Sequence, residues 1–189
     1  GEVEIKMMNE MGYDAGTIGN HEFDFGLDNM ARLFKMAKFP IVCANYDVTG
    51  TVLEGLVKEY TIIERNGIRI GVFGLGAELD GLVAHANYGN VKFKDPVAEG
   101  QRVADLLKNQ EHCDLVICLS HLGWKGEPYS DVELVENTRN IDIVLGGHSH
   151  SFFDGPKFYK NLDGVEVPVQ QMGKHAAFVG KMVVKMQKN

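Results

Sequence analysis

Residues 19–24 read Gly-Asn-His-Glu-Phe-Asp and bring an amide, an imidazole and a carboxylate together in a short stretch. Asn20 offers a carbonyl oxygen to a hard metal ion, and His21 offers a nitrogen that can bind a metal or carry a proton. Asp24 can hold His21 in one tautomer. The stretch follows a short apolar run and precedes a helical pattern, so it leaves the carboxyl end of a predicted strand, where α/β proteins bind ligands.

Two further stretches have the same character. Residues 120–123 read Ser-His-Leu-Gly and residues 146–150 read Gly-Gly-His-Ser-His, and each follows a continuous apolar run. The paired glycines let the backbone approach closely, and His148 and His150 can converge on one point from a loop. Imidazole is a common metal ligand. Three histidine-rich loops after three strands therefore predict a metal site that includes His121, His148 and His150, with Asn20 as a further ligand.

Other functions are possible for some of these residues. Ser120 could be a nucleophile, but the strained G-x-S-x-G turn that such a serine needs is absent, so His121 as a metal ligand is the better hypothesis. His21, oriented by Asp24, could donate a proton to a leaving group as a general acid. Asp24 could equally cap the following helix, and both roles are compatible. Glu22 is expected to be solvated or to support a ligand.

Size and composition restrict the class of protein. The chain has 189 residues, 44% hydrophobic and 24% charged, which fits one globular domain, residues 1–189. A formal charge of −7 argues against binding a nucleic-acid polymer but not against a phosphate substrate near a metal. No apolar run approaches the ~20 residues that span a bilayer. Three cysteines without paired spacing predict buried free thiols, namely Cys43, Cys113 and Cys118.

The hydrophobic pattern alternates between strand and helix signals. Asn66-Gly67 and Asp163-Gly164 each separate two strand-like runs and predict hairpins, whereas Gly74–Gly76 reads as a turn. The expected elements are helices over 2–11, 27–38, 95–109 and 131–137, and strands over 14–18, 41–44, 60–64, 68–73, 115–119, 141–145, 157–159, 165–171 and 177–185. This order indicates one α/β domain of mixed sheets, layered with helices outside.

Together, the motifs at 19–24, 43–45 (Cys-Ala-Asn), 120–123 and 146–150 resemble those of the calcineurin-like metallophosphoesterases, in the 5′-nucleotidase branch. The resemblance implies an α/β/β/α sandwich and a phosphoester hydrolase in which a hydroxide bridging two divalent ions attacks phosphorus. By the same resemblance, Asn20, His121 and His148 bind one ion and His150 binds the other. His21 with Asp24 resembles the dyad that stabilises the transition state. Zn, Mn, Mg, Co and Fe all suit such ligands.

The chain also departs from the family pattern. Family members begin with strands that end in Asp-x-His and Gly-Asp, and neither motif occurs here. We expect that the domain lacks its first strands because the parent protein is longer, and that these residues alone turn over little substrate. The alternatives are a degenerate member that binds one metal, and a phosphodiesterase or pyrophosphatase of the same family.

The same resemblance implies the partners and the compartment. The substrate is expected to be a nucleotide, most simply a 5′-monophosphate, or another small phosphoester. The family's carboxyl-terminal nucleotide-binding domain is also absent, so a separate domain of that kind, or self-association through exposed sheet edges, could complete the protein. The branch is usually exported, which predicts the periplasm or the cell surface.

Overall fold

The computed structural model describes residues 1–126 and 128–186, whose strands form a six-stranded sheet, a three-stranded sheet and one short pair. In chain order the strands are β1 (Gly16–Thr17), β2 (Ile41–Val42), β3 (Tyr46–Asp47), β4 (Val57–Lys58), β5 (Tyr60–Arg65), β6 (Ile68–Gly76), β7 (Lys92–Phe93), β8 (Leu115–His121), β9 (Ile143–Leu145), β10 (Lys157–Lys160) and β11 (Glu166–Gln170). The large sheet has the order β10-β11-β9-β8-β6-β5, and the small sheet has the order β1-β2-β4. β3 pairs with β7.

The large sheet is mixed. Its centre is parallel, because β6, β8, β9 and β11 run in the same direction. Its two margins are antiparallel hairpins, β5–β6 and β10–β11. Asn66 and Gly67 form the first turn at φ of 52° and 76°, the left-handed values that this turn requires. Both predicted hairpins are confirmed.

The helices are α1 (Glu2–Met11), α2 (Gly26–Phe34), α3 (His85–Tyr88), α4 (Pro96–Asn109) and α5 (Asp131–Glu136). Local sequence explains their ends. Gly12 closes α1 in the left-handed conformation, and the Asp95 carboxylate accepts from the first backbone N–H groups of α4. Ser130 caps α5 in the same way, through the N–H of Glu133. None of the helices in the described part of the chain is long and apolar enough to cross a bilayer.

The helices and sheets form layers because their apolar faces pack against one another. α4 and α5 cover one face of the large sheet with a core that includes Leu107, Leu134 and Phe73. α1 and α2 cover the small sheet with a second core around Phe23 and Met30. The two sheets meet face to face, where β1 and β2 contact β6. The predicted α/β/β/α sandwich of mixed sheets is confirmed.

The two sheets approach closely at Gly74. A Cβ at this position would overlap the carbonyl oxygen of Val42 and the hydroxyl of Thr17, and the Gly74 carbonyl accepts from the N–H of Ala44 at 2.8 Å. The prediction of a turn at residues 74–76 is therefore wrong, since these residues continue β6. The glycine is needed for contact between the sheets rather than for a bend.

Several predicted boundaries shift, and one element is absent. α2 ends at Phe34 rather than at residue 38, and β1 is shorter than predicted, whereas β8 extends to His121. Residues 177–185 form no strand, although their apolar pattern predicts one, and Val179 is 91% exposed. The reason is that strand propensity needs a hydrogen-bonding partner, which the pattern does not supply. The three cysteines are buried free thiols, as predicted.

Candidate metal and catalytic site

The loops that carry the candidate ligands meet at one end of the two sheets. Asn20 begins a 3₁₀ turn, Asn20–Phe23, just after β1, and His121 is the last residue of β8. Because the small sheet packs on the large one, these two side chains face each other, with Asn20 Oδ1 3.1 Å from His121 Nε2. Two ligands about 2.1 Å from one metal ion are themselves about 3.0–3.4 Å apart. The separation therefore suits two ligands of one ion.

His148 lies on the other side of His121. The centroids of the two imidazole rings are 5.1 Å apart, because β8 and β9 are parallel neighbours and both loops leave the same edge of the sheet. Gly147 permits this approach, since a Cβ there would lie 3.2 Å from His121 Nδ1. Gly19 does the same on the Asn20 side, where a Cβ would lie 2.7 Å from the His121 ring. The structure thus brings Asn20, His121 and His148 together.

The protonation state of His121 suits a ligand. Burial lowers the pKa of His121 to about 4, and the charges of His148, His21 and His150 act in the same direction. At neutral pH the imidazole is therefore uncharged, the form that binds a metal. The same result places His148, His21 and His150 within electrostatic range of His121.

His150 has a different setting. It is exposed, and its backbone, like that of His148, is left-handed, with φ of 54° and 67° respectively. Such angles are uncommon for residues other than glycine. Among residues 1–126 and 128–186, no three His, Cys, Asp or Glu side chains converge as a metal-binding group, so an ion at His121 also needs the Asn20 amide.

His21 and Asp24 form a pair beside this cluster. His21 Nδ1 is 3.0 Å from Asp24 Oδ2, and both side chains are exposed. This hydrogen bond orients the ring and leaves Nε2 to exchange a proton with a bound group. The alternative role of Asp24 as a helix cap is wrong, because the residue before α2 is Phe25 and no side chain caps that helix.

The residues around these side chains fix their backbone. Glu22 Oε2 accepts from the N–H of Gly19 at 2.6 Å, so it supports the turn that carries Asn20. Asn45 is fully buried, and its carboxamide bonds both the N–H and the carbonyl of Gly76 at 2.8 Å. His85, His112 and His175 are exposed.

Sequence reasoning missed two residues beneath the site, Asp131 and Gln171, which are both buried and bonded to each other. Burial raises the pKa of the Asp131 carboxyl to about 6, against the opposing effect of the hydrogen bond from Gln171. Asp131 looks in the sequence like an ordinary acid in the first turn of a helix. No local signal distinguishes it, because its partners lie far away along the chain.

The fold and the site define the class of protein, an α/β/β/α sandwich with a histidine-rich centre at the ends of its strands. A sequence model of the calcineurin-like phosphoesterase family matches residues 5–152, and the chain belongs to this family. The resemblance to its 5′-nucleotidase branch is confirmed by relatives and solved structures.

Three comparisons illustrate the similarity to the 5′-nucleotidase branch. The chain is 36% identical to a 5′-nucleotidase of Vibrio cholerae, over 84% of the chain and 31% of that protein. It is 30% identical to the trifunctional nucleotide phosphoesterase protein YfkN of Bacillus subtilis, over 97% of the chain and 14% of that protein. The structure of NAD nucleotidase from Haemophilus influenzae superposes with a TM-score of 0.80 at 28% identity, over 90% of the chain and 36% of that structure. The chain thus spans about a third or less of each.

Proposed function

We propose that this protein is a metal-dependent phosphoester hydrolase that acts on nucleotides, with 5′-monophosphates as the preferred substrates. The observation that carries the proposal is the convergence of Asn20, His121 and His148, with a 3.1 Å separation between Asn20 Oδ1 and His121 Nε2. The relatives that are named as 5′-nucleotidase and nucleotide phosphoesterase support the choice of substrate.

In this proposal Asn20, His121 and His148 hold one divalent ion, and His150 contributes to a second. When bound, such ions supply positive charge to the phosphoryl oxygens and activate a water for attack on phosphorus. The residues present fit this role, because one amide oxygen and imidazole nitrogens suit Zn, Mn, Mg, Co and Fe to differing degrees. The depressed pKa of His121 keeps that ligand available at neutral pH.

The proposed role of the His21–Asp24 pair is separate from metal binding. Asp24 holds the Nδ1 side of the ring at 3.0 Å, so Nε2 can face a substrate. From there His21 donates a hydrogen bond to a phosphoryl oxygen in the transition state, and a proton to the leaving oxygen. Both side chains are exposed, so a substrate can reach them.

The test uses the intact protein, with metal content and hydrolysis of 5′-AMP and p-nitrophenyl phosphate as readouts. His121→Ala and His148→Ala are expected to lower both metal content and turnover. His21→Ala is expected to lower turnover by about 10²–10⁴-fold while the metal content stays normal. His112→Ala is the matched control, because His112 is an exposed histidine that precedes β8, at the end of the strand opposite His121. Unchanged metal content and turnover in His121→Ala and His148→Ala would refute the proposal.

A second candidate function is a non-catalytic member that binds a single metal. It is favoured by one observation, that His150 is exposed while Asn20, His121 and His148 cluster around one point. Metal stoichiometry separates the two proposals, since two ions per chain support the enzyme and one ion without turnover supports the binder. A substrate panel that includes cyclic nucleotides and pyrophosphates tests for a diesterase or pyrophosphatase.

Partners and location are part of the same proposal. A net charge of −7 disfavours a nucleic-acid polymer and leaves a small phosphoester as the ligand. Edge strands β5 and β10 of the large sheet could pair with a second copy or with a separate nucleotide-binding domain. We place the protein in the periplasm or at the cell surface, by resemblance to the branch. Sedimentation and cell fractionation test these two points.

A further inference from the structure

We propose that Asp131 and Gln171 act as positioning residues, holding the loops that carry His121, His148 and His150 in the conformation that binds metal. We call these two residues the Asp131–Gln171 pair. The inference rests on the proposed metal centre and adds residues outside it. The pair would act by holding the loop, because Gln171 bonds the Ser149 hydroxyl, the Ser151 N–H and the Asp131 carboxylate.

The pair is buried directly beneath the loop after β9. Asp131 is 0% exposed and Gln171 is 1% exposed, and Gln171 Nε2 donates to Asp131 Oδ2 at 3.0 Å. A Cβ at Gly146 would overlap Asp131 Oδ2 and lie 3.0 Å from Gln171 Nε2. The glycine that opens the Gly-Gly-His-Ser-His loop therefore makes room for the pair.

Gln171 holds the residues next to the two histidines. Its Oε1 accepts from the Ser149 hydroxyl at 3.0 Å and from the Ser151 N–H at 3.2 Å. His148 and His150 have left-handed backbones, which are unfavourable for residues with a Cβ unless the surroundings hold them. Ser149 lies between these histidines and Ser151 follows them, so the contacts of Gln171 fall where the loop needs support.

The same pair reaches the loop after β8. The backbone N–H of Asp131 donates to the carbonyl of Gly123 at 2.7 Å, and the N–H of Trp124 donates to the Ser149 hydroxyl at 3.0 Å. The hydrogen bonds thus join the His121 loop to the His148 loop through Ser149, whose hydroxyl also donates to the buried Gln171. Loss of the Gln171 contact should therefore alter the spacing between ligands on different strands.

The composition of the pair favours positioning over stability. Asp131 Oδ1 is buried without a hydrogen-bond partner among the described residues, an arrangement that disfavours folding. Apolar residues of similar volume would avoid this desolvation. A role in orienting the loops explains why a polar pair, rather than an apolar one, is buried at this location.

The first test measures the affinity of the intact protein for Mn²⁺ and for Zn²⁺ by calorimetric titration. Gln171→Ala and Asp131→Leu should weaken binding about 10–100-fold, the effect expected when support for ligands is lost. Asp131→Asn keeps an acceptor for Gln171 Nε2, so it should stay within about threefold of the wild type. The matched control is Gln170→Ala, because Gln170 is the same residue type one position earlier. Its side chain bonds the backbone carbonyls of Phe153 and Gln171 rather than Asp131, Ser149 or Ser151.

The second test needs no metal. In the metal-free intact protein, amide hydrogen exchange at Ser151 and Trp124 should accelerate in Gln171→Ala and stay at the wild-type rate in Gln170→Ala. Ser149→Ala changes a surface residue and removes one partner of Gln171, so it serves if Gln171→Ala fails to fold. It should accelerate exchange at Trp124 and weaken metal binding.

The outcomes distinguish this inference from the proposed function. Wild-type metal affinity and exchange rates in Gln171→Ala, or equal losses in Gln170→Ala, would overturn the positioning role. If His121→Ala leaves metal binding unchanged, the proposed metal centre itself fails, whatever Gln171→Ala does. If His121→Ala abolishes binding and Gln171→Ala has no effect, only the positioning role fails.

Discussion

Replacing Gly19 with alanine should damage the site without straining the backbone. Gly19 has φ of −102° and ψ of 178°, which alanine adopts readily. The added Cβ would lie 2.7 Å from the Cε1 and Nε2 atoms of His121 and 3.0 Å from Glu22 Oε2, whereas ordinary contacts begin near 3.4 Å. The His121 ring must therefore move, and its 3.1 Å separation from Asn20 Oδ1 must change.

The size of the effect follows from the difference between the 2.7 Å separation and an ordinary contact distance near 3.4 Å. Forcing one methyl group into a packed position costs about 1–3 kcal/mol. Because the overlap is with a proposed ligand, most of this cost should appear in metal binding, as a loss of about 10–100-fold in affinity. Little of it should appear in the free energy of unfolding of the metal-free protein, since the ring can move toward solvent.

The assay is calorimetric titration of Zn²⁺ or Mn²⁺ into the metal-free intact protein, alongside urea unfolding. Gly155→Ala is the matched control, because a Cβ at Gly155 meets nothing within 4 Å. Wild-type metal affinity in Gly19→Ala would refute the argument that His121 is held against Asn20 for metal binding. A large loss of stability with unchanged affinity would show that Gly19 serves packing alone.

Three further predictions concern pH, packing and thiols. Since burial raises the folded-state pKa of Asp131 to about 6, above 3.8 in the unfolded chain, the folded state of the metal-free protein binds the extra proton between these values. Stability should therefore fall by roughly 2 kcal/mol as pH rises from 4 to 6, and Asp131→Asn should flatten this dependence in urea titrations. A wild-type slope in the variant would refute the assignment. Gly74→Ala should destabilise the fold by about 3 kcal/mol or more, because its Cβ would overlap the backbone of the facing strand. Unchanged thermal unfolding of this variant would contradict the close contact between the sheets. The three buried thiols should react with a thiol reagent only on unfolding. Burial raises the pKa of Cys43 to about 12 and also raises the pKa of Cys113 and Cys118. Fast reaction of the native protein would contradict their burial.

Elements with local signals could be predicted from the sequence. Asn66-Gly67 specifies its hairpin through the turn itself, and α4 has both an Asp95 cap and a helical apolar stripe. The approach of Asn20, His121 and His148 to one another could also be predicted, because each follows an apolar strand-like run. These signals are contained within a few residues of the chain.

What could not be predicted depends on contacts between distant residues. Gly74 looks like a turn residue until the small sheet packs against it. Residues 177–185 have a strand-like pattern, but pairing depends on a partner that the pattern does not name. Asp131 and Gln171 are 40 positions apart, and neither has a distinctive neighbour in sequence. Their connection appears only in the folded chain.

The most direct test of the central claim is X-ray absorption at the zinc edge of the zinc-loaded intact protein and of His121→Ala. The zinc in the wild-type protein should have nitrogen and oxygen neighbours at about 2.0–2.1 Å with the outer-shell scattering of imidazole, and the variant should show fewer imidazoles. A spectrum without imidazole, with sulfur at about 2.3 Å, or one unaffected by the substitution would show that the metal binds elsewhere.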